Sequence, residues 1–157
     1  MPKLAEALIE RKTLIERLQR LCERLEANAK VQEGETPDEQ PADLLAEALE
    51  VLEASQRLNV QINRTNMQAT LSDGATLMEA IAERDRLKTE RNVLERLANA
   101  ARIAPARGFA LTRNEIKWRP TVEVAAIQKQ IDTLSQRYRE LDTRIQEANW
   151  LTDLLQD

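Results

Sequence analysis

The spacing of apolar residues in the last third of the chain restricts the fold more than any other feature. Apolar side chains recur there at alternating intervals of four and three residues, at Ile127, Ile131, Leu134, Tyr138, Leu141, Ile145 and Ala148, with Leu151 and Leu155 continuing the line. Residues at this spacing share one face of an α-helix, which is buried when another helix packs against it. We therefore expect a long helix from about 121 to 155.

Three earlier segments carry the same period. A helix at about 3–30 has two lines of residues seven apart, Leu4, Arg11, Leu18, Leu25 and Leu8, Ile15, Cys22, Ala29. A helix at about 41–70 has one continuous line, Leu44, Ala48, Val51, Ser55, Leu58, Ile62, Thr65 and Ala69. A helix at about 77–102 has the lines Ala80, Leu87, Leu94, Ala101 and Leu77, Arg84, Arg91, Ala98. Each pattern indicates a packed helical face.

The fold class follows from these four segments. Four long helices, joined mostly by short connections, predict an all-α fold, an antiparallel four-helix bundle of coiled-coil-like helices. The chain has 157 residues, which suits a single domain. The third-to-fourth connection, which loses the helical period, is the one long link. We expect the fourth helix to overhang its neighbours and expose Trp150, Leu151, Leu154 and Leu155, which favours a homo-oligomer.

Composition excludes several classes of site. The chain has no histidine and one cysteine, so histidine-based nucleophile pairs and histidine-containing metal centres are excluded. We predict no catalytic residue, no metal site and no cofactor. No apolar run approaches the ~20 residues of a spanning helix, and the start of the chain lacks the pattern of a secretory signal. We therefore expect a cytoplasmic protein without an integral membrane segment.

The segment 102–120 is the first candidate site. It carries five basic residues and one acid, whereas residues 31–56 carry eight acids and no base. Two aromatic residues, Phe109 and Trp118, are interleaved with the arginines, a pattern found in proteins that hold phosphates or nucleic acids. One interpretation is an anionic ligand bound by Arg107, Arg113, Lys117, Trp118 and Arg119. The other is pairing of these bases with the acidic stretch, within or between subunits.

Polar residues on otherwise apolar helical faces form the second candidate. Counting along each helix from its end brings Arg11, Asn63 and Arg84 to one level near one end of the bundle, with Asn59 deeper and Asn66 and Asn149 shallower. Buried groups of this kind need hydrogen-bond partners. The set is either a polar network that fixes helix register or a pocket for a small anion.

A carboxylate-rich enzyme is the third interpretation. Six acidic residues, Glu47, Glu50, Glu53, Glu79, Glu83 and Asp85, suggest a magnesium-dependent nucleotide pyrophosphatase of the all-helical type. With Leu44, Ala48 and Val51 facing inward, however, Glu50 and Glu53 point toward solvent. A charged, solvated face is the usual meaning of such a run.

Several stretches resemble a known family. These are "INRTN" (62–66), "AERD" (82–85), "EIKW" (115–118), "TVEVAAIQKQID" (121–132) and "ELDTRIQEANW" (140–150), with the opening "KLAEALIER" and the "VQEGE" turn. Together they are similar to the small all-helical bacterial proteins of unknown function often labelled septicolysin. The resemblance transfers no catalytic residue. Its label implies a pore-forming cytolysin, which would require an amphipathic helix to bind a membrane surface after rearrangement.

The function that we expect from the sequence is a non-enzymatic, homo-oligomeric scaffold or interaction module. Three alternatives remain open: a binder of an anionic ligand or nucleic acid through the basic segment, a septicolysin-like membrane-active protein, and the pyrophosphatase.

Overall fold

The computed structural model describes residues 1–103 and 117–156. It contains four α-helices, α1 (Leu4–Ala27), α2 (Pro41–Gln68), α3 (Leu77–Ala101) and α4 (Val124–Leu151). The described ranges hold no strand, only two isolated bridges. The predicted all-α fold, with four helices and one long third-to-fourth connection, is confirmed. The chain forms two compact units, residues 1–78 with the chain from Ile145, and residues 79–144. That it folds as a single domain stays a prediction.

The first unit is built on α1 and α2, which run antiparallel. Their direction follows from two ion pairs, Arg17 with Glu47 at 2.7 Å and Arg24 with Glu39 just before α2, because the partners' numbers fall as those along α1 rise. Between the helices lies a core of Leu21, Leu44, Ala48 and Val51, extended by Leu14, Leu18 and Leu25. The line predicted along α2 is confirmed, since every apolar member from Leu44 to Ile62 is buried.

One line predicted on α1 is wrong by one residue. The side chains that face α2 include Leu14 and Leu21, whereas Ile15 is 58% exposed and Cys22 is exposed. A four-three repeat starting at Leu4 continues equally well through position 7 or position 8. The side from which α2 approaches decides between the two, and that information is absent from α1 itself.

The ends of the first unit are joined by backbone hydrogen bonds. The N–H of Leu4 donates to the carbonyl of Thr152, and the N–H of Leu154 donates to that of Pro2, both at 2.9 Å. The predicted overhang of α4 is therefore wrong in part: α4 ends at Leu151, and Leu154 is buried against the start of the chain, although Trp150 and Leu151 are exposed. The α2–α3 turn contains Gly74 at φ 88°, which favours glycine.

The second unit is built on α3 and α4, also antiparallel. Arg84 pairs with Asp142, and Arg91 two turns later packs on Tyr138, so the partners' numbers again run in opposite directions. A core of Ala98, Ile127 and Ile131, with Leu94, Val122 and Val124 around it, closes one end of the pair. Helix contacts within both units are those expected of a helical bundle.

Candidate functional site

The predicted polar cluster is divided between the two units. Five of its members belong to the first unit: Asn149 is buried, Arg11, Asn59 and Asn66 are half-buried, and Asn63 is exposed. Arg84 belongs to the second unit. Asn63 therefore lies outside any buried network, because it follows the buried Ile62 and a helix turns about 100° per residue.

Arg84 is held by two carboxylates within its own unit. Its Nη1 donates to Asp142 at 3.1 Å, and its Nε and Nη2 donate to Asp85 at 3.2 and 3.0 Å. Burial of the guanidinium opposes its charge, but the hydrogen bonds to Asp85 and Asp142 outweigh this effect and raise the pKa of Arg84 above its ordinary value. Asp85 is the next residue along α3, and Asp142 lies on α4. All three guanidinium nitrogens of Arg84 therefore donate hydrogen bonds to carboxylates of the protein.

The second arginine on the apolar face of α3, Arg91, packs on an aromatic ring. Its guanidinium carbon lies 5.5 Å from the centre of the Tyr138 ring on α4. Such a contact stabilises a cation by attraction to the ring face. Its Nε is buried, has no hydrogen-bond partner in the described part of the chain, and lies 3.7 Å from a Glu95 oxygen. Arg84 and Arg91 can therefore lie on the apolar face of α3, because Asp142 and Tyr138 of α4 interact favourably with their positive charges.

Sequence reasoning missed Thr65 as a polar contact of the first unit. This residue is 1% exposed, and its hydroxyl donates to the Gln61 carbonyl at 2.8 Å and accepts from the Leu155 N–H at 3.0 Å. The sequence feature that could have predicted this contact is a threonine within the apolar line of α2. Asn149, 4% exposed on α4, has a buried Oδ1 with no hydrogen-bond partner among the described residues.

Two members of the predicted basic site, Arg107 and Arg113, lie outside the described residues. The other three members, Lys117, Trp118 and Arg119, are exposed and precede α4, with Trp118 82% exposed. Trp118 and Arg119 line an open surface hollow of about 440 Å³, together with Arg102, Leu97 and Ile103 among other residues. The structure thus brings an exposed indole and two guanidinium groups to one hollow.

Two acids of the 31–56 stretch have partners on α1. Glu39 binds Arg24, and Glu47 binds Arg17. The hydrogen bond from Arg24 lowers the pKa of Glu39 below its ordinary value. These two carboxylates are therefore neutralised within the first unit.

An exposed apolar line on α2 was not assigned from the sequence as a surface. Five of its side chains are 40–60% exposed, namely Leu45, Leu49, Leu52, Val60 and Met67. With the exposed polar residues Gln56 and Asn63 they form a line along one flank of the helix, here called the α2 stripe. The opposite flank carries Glu47, which binds Arg17. One side of α2 therefore packs against α1 and a second apolar side faces solvent.

Comparisons with known proteins identify the family. The model of a family of unknown function, DUF6847, matches residues 11–154. The chain belongs to this family. It is also similar to a solved structure, the crystal structure of a functionally unknown conserved protein from Corynebacterium diphtheriae, with 37% identity and a TM-score of 0.87 over 98% of this chain and 99% of that chain. Comparison with curated proteins gave no match.

The acidic residues considered for catalysis are dispersed on this DUF6847 protein. Glu47 binds Arg17, Glu83 binds Arg137, and Asp85 binds Arg84. Within the described ranges, no three His, Cys, Asp or Glu side chains are grouped to hold a metal ion. The same part of the chain has no helix of the length and apolarity needed to span a membrane.

Proposed function

We propose that this DUF6847 protein is a homo-oligomeric interaction module that performs no catalysis. The α2 stripe carries the proposal. Its five apolar side chains are 40–60% exposed on one flank of a 28-residue helix. Single exposed apolar residues are common on protein surfaces, but a contiguous exposed apolar patch usually marks a protein interaction site.

The remaining surface of α2 supports an interface at the stripe. Apart from Ala42 and Ala46, the other exposed positions of the helix are occupied by polar or charged residues such as Asp43, Glu50, Arg57 and Gln68. The apolar side chains are therefore concentrated on one flank. We place the protein in the cytoplasm; its one cysteine, Cys22, is a free and exposed thiol, a state typical of reducing compartments.

Sedimentation velocity at protein concentrations from about 1 to 100 µM tests the association. We expect a concentration-dependent shift from monomer to a discrete oligomer. A strict monomer across the whole range would contradict the proposal.

The absence of catalysis needs its own test. Purified protein with Mg²⁺ is assayed for pyrophosphate release over a panel of nucleoside triphosphates, alongside the Glu83→Gln variant. We expect no turnover from either protein. Turnover that disappears in the Glu83→Gln variant would instead support the pyrophosphatase.

A second candidate function is the binding of an anionic ligand beside Trp118. The observation that favours it is the hollow in which Trp118 meets Arg102 and Arg119. Exposed aromatic rings next to arginine are suited to stacking on bases while the cation binds phosphate.

A single-stranded oligonucleotide and inorganic pyrophosphate are suitable probes of this candidate. Quenching of Trp118 fluorescence is followed in a Trp150→Phe background, since Trp150 is also exposed. Binding that weakens with added salt and with Lys117→Ala or Arg119→Ala, but not with Arg57→Ala on α2, supports the candidate. Binding that is indifferent to the first two substitutions excludes it.

The resemblance to septicolysin-labelled proteins suggests a third candidate, activity at a membrane surface. The α2 stripe gives it a possible apolar contact with lipid. Release of dye from phosphatidylcholine vesicles, with and without phosphatidylserine, is the direct measurement. No release at micromolar protein would exclude this candidate.

A further inference from the structure

We propose that a second copy of this chain covers the α2 stripe, with α2 antiparallel to α2 of the partner about a twofold axis at Gln56. The proposal rests on the homo-oligomeric function proposed above and specifies its interface. The stripe consists of Leu45, Leu49, Leu52, Gln56, Val60, Asn63 and Met67, all exposed. It spans 22 residue steps, or about 33 Å of helix.

The spacing of the stripe is the same in both directions. From Leu45 to Met67 the intervals are four, three, four, four, three and four residues, and this series is a palindrome centred on Gln56. An antiparallel copy centred there places every stripe position opposite another stripe position. Leu45 then meets the partner's Met67, Leu52 meets the partner's Val60, and Leu49 meets the partner's Asn63. A twofold interface requires such a self-complementary surface.

The charges along α2 favour the antiparallel orientation. Its first half carries Asp43, Glu47, Glu50 and Glu53 without a base, and its second half carries Arg57 and Arg64 without an acid. Antiparallel pairing places the acidic half of one copy beside the basic half of the other. Parallel pairing would place like charges side by side. The helix dipoles also attract each other only in the antiparallel arrangement.

Charge also selects the register. A twofold axis near Leu49 would bring more leucine into contact, but it would set Asp43, Glu50 and Glu53 of each copy near the same acids of the other, whereas Glu47 lies on the opposite flank and is paired with Arg17. An axis at Gln56 instead brings Glu53 close to the partner's Arg57. Within one helix, Arg57 Nη1 lies 4.0 Å from Glu53 Oε2, which is a long contact for an ion pair, and both side chains are largely exposed. Each residue can therefore pair with the partner copy instead. Like-charge contacts disfavour the competing register.

Gln56 supplies a polar contact on the axis itself. A glutamine side chain both donates and accepts hydrogen bonds, so two copies of Gln56 can bond to each other across the axis. A polar residue at one position of an apolar helix pair fixes register at some cost in stability. This explains why the centre of the stripe is polar.

Disulfide trapping tests the geometry. Cys22 is replaced by serine, and the single variants Leu45→Cys and Met67→Cys are oxidised separately and after mixing. We expect a covalent dimer only from the mixture, because positions 45 and 67 meet across the interface whereas two copies of position 45 are about 33 Å apart. Self-crosslinking of each variant would mean parallel helices and overturn the proposal.

The remaining outcomes separate this inference from the proposed function. A noncovalent dimer that gives no crosslink in any sample overturns the α2 interface but leaves the homo-oligomeric function standing. A protein that is monomeric at 100 µM overturns both.

Charge reversal provides an independent test. Glu53→Arg and Arg57→Glu each place like charges across the axis, and we expect each to weaken dimerisation roughly tenfold. An equimolar mixture of the two variants should recover association as a heterodimer, and so should the double variant as a homodimer. Arg86→Glu on α3 is the control and should leave dimerisation unchanged. Circular dichroism verifies folding, and a mixture no stronger than its components contradicts the inference.

Discussion

The hydroxyl of Thr65 accepts a 3.0 Å hydrogen bond from the backbone N–H of Leu155, ninety residues further along the chain. Thr65 is buried within the apolar line of α2, and Leu155 belongs to the short tail after α4. Two backbone hydrogen bonds from the tail region to Pro2 and Leu4 accompany this contact. One polar side chain therefore joins α2 to a tail that is also bonded to the start of the chain.

Replacing Thr65 by valine should destabilise the protein. Valine keeps the shape of the side chain but leaves the Leu155 N–H without its acceptor, so the free energy of unfolding should fall by about 1–2 kcal/mol. Urea denaturation followed by circular dichroism measures this change. Thr133→Val is the matched control, because the Thr133 hydroxyl is exposed and donates to the Lys129 carbonyl of its own helix. Equal effects of the two substitutions would show that the tail contact adds nothing.

The Arg84–Asp142 ion pair should couple α3 to α4 measurably. The two side chains are 23% and 34% exposed, so solvent screens them only partly. A double-mutant cycle of Arg84→Met and Asp142→Asn should give a coupling energy of about 0.5–1 kcal/mol. The Arg86–Glu90 pair, which is more exposed and lies within α3, should give a smaller value in a parallel cycle. Coupling that is equal in the two cycles would argue against a special role for Asp142.

The Lys3–Asp153 pair predicts a pH dependence of the first unit. The Lys3 ammonium donates a 2.7 Å hydrogen bond to Asp153 and, together with its charge, lowers the pKa of that carboxyl below its ordinary value. A lowered folded-state pKa means that the pair stabilises the fold above the unfolded pKa, about 3.9, and that this contribution is lost as the pH falls through the lower folded value.

NMR titration of the Asp153 carboxyl carbon checks this direction. Its midpoint should lie below the ordinary aspartate value in the native protein and return toward it in Lys3→Met. Lys12→Met should leave the midpoint unchanged, since Lys12 pairs with Glu16 elsewhere on α1. A titration midpoint that does not change in Lys3→Met would show that the Lys3–Asp153 pair does not form in solution.

Helical period alone was sufficient to predict the packed faces of α2 and α3. In α2 the buried residues Leu44, Val51 and Leu58 all belong to the line predicted to face the core. The arginines of α3 were correctly placed on its packed side. Their partners on α4, Asp142 and Tyr138, lie more than forty residues away, and a helical pattern contains no information about such distant contacts.

The polar cluster shows where counting along helices fails. Counting gives the depth of a residue along a helix axis but not its direction around the axis, and this is why Asn63 was grouped with the buried Asn149. The α2 stripe was overlooked for a related reason. Its four-three spacing is present in the sequence, but a local pattern does not show how much of a helix its own chain covers.

The same ambiguity on α1 leads to the last prediction. Leu21 is 1% exposed in the core between α1 and α2, whereas Ile15 is 58% exposed, although the sequence favoured Ile15 as a core residue. Leu21→Ala should lower the free energy of unfolding by about 3 kcal/mol, because it removes buried methyl groups and leaves a cavity. Ile15→Ala should change it by less than about 0.5 kcal/mol, since exposed side chains lose little on truncation. Urea titrations of the two variants decide between the two possible faces of α1, and a larger loss for Ile15→Ala would mean that α2 packs on the other side.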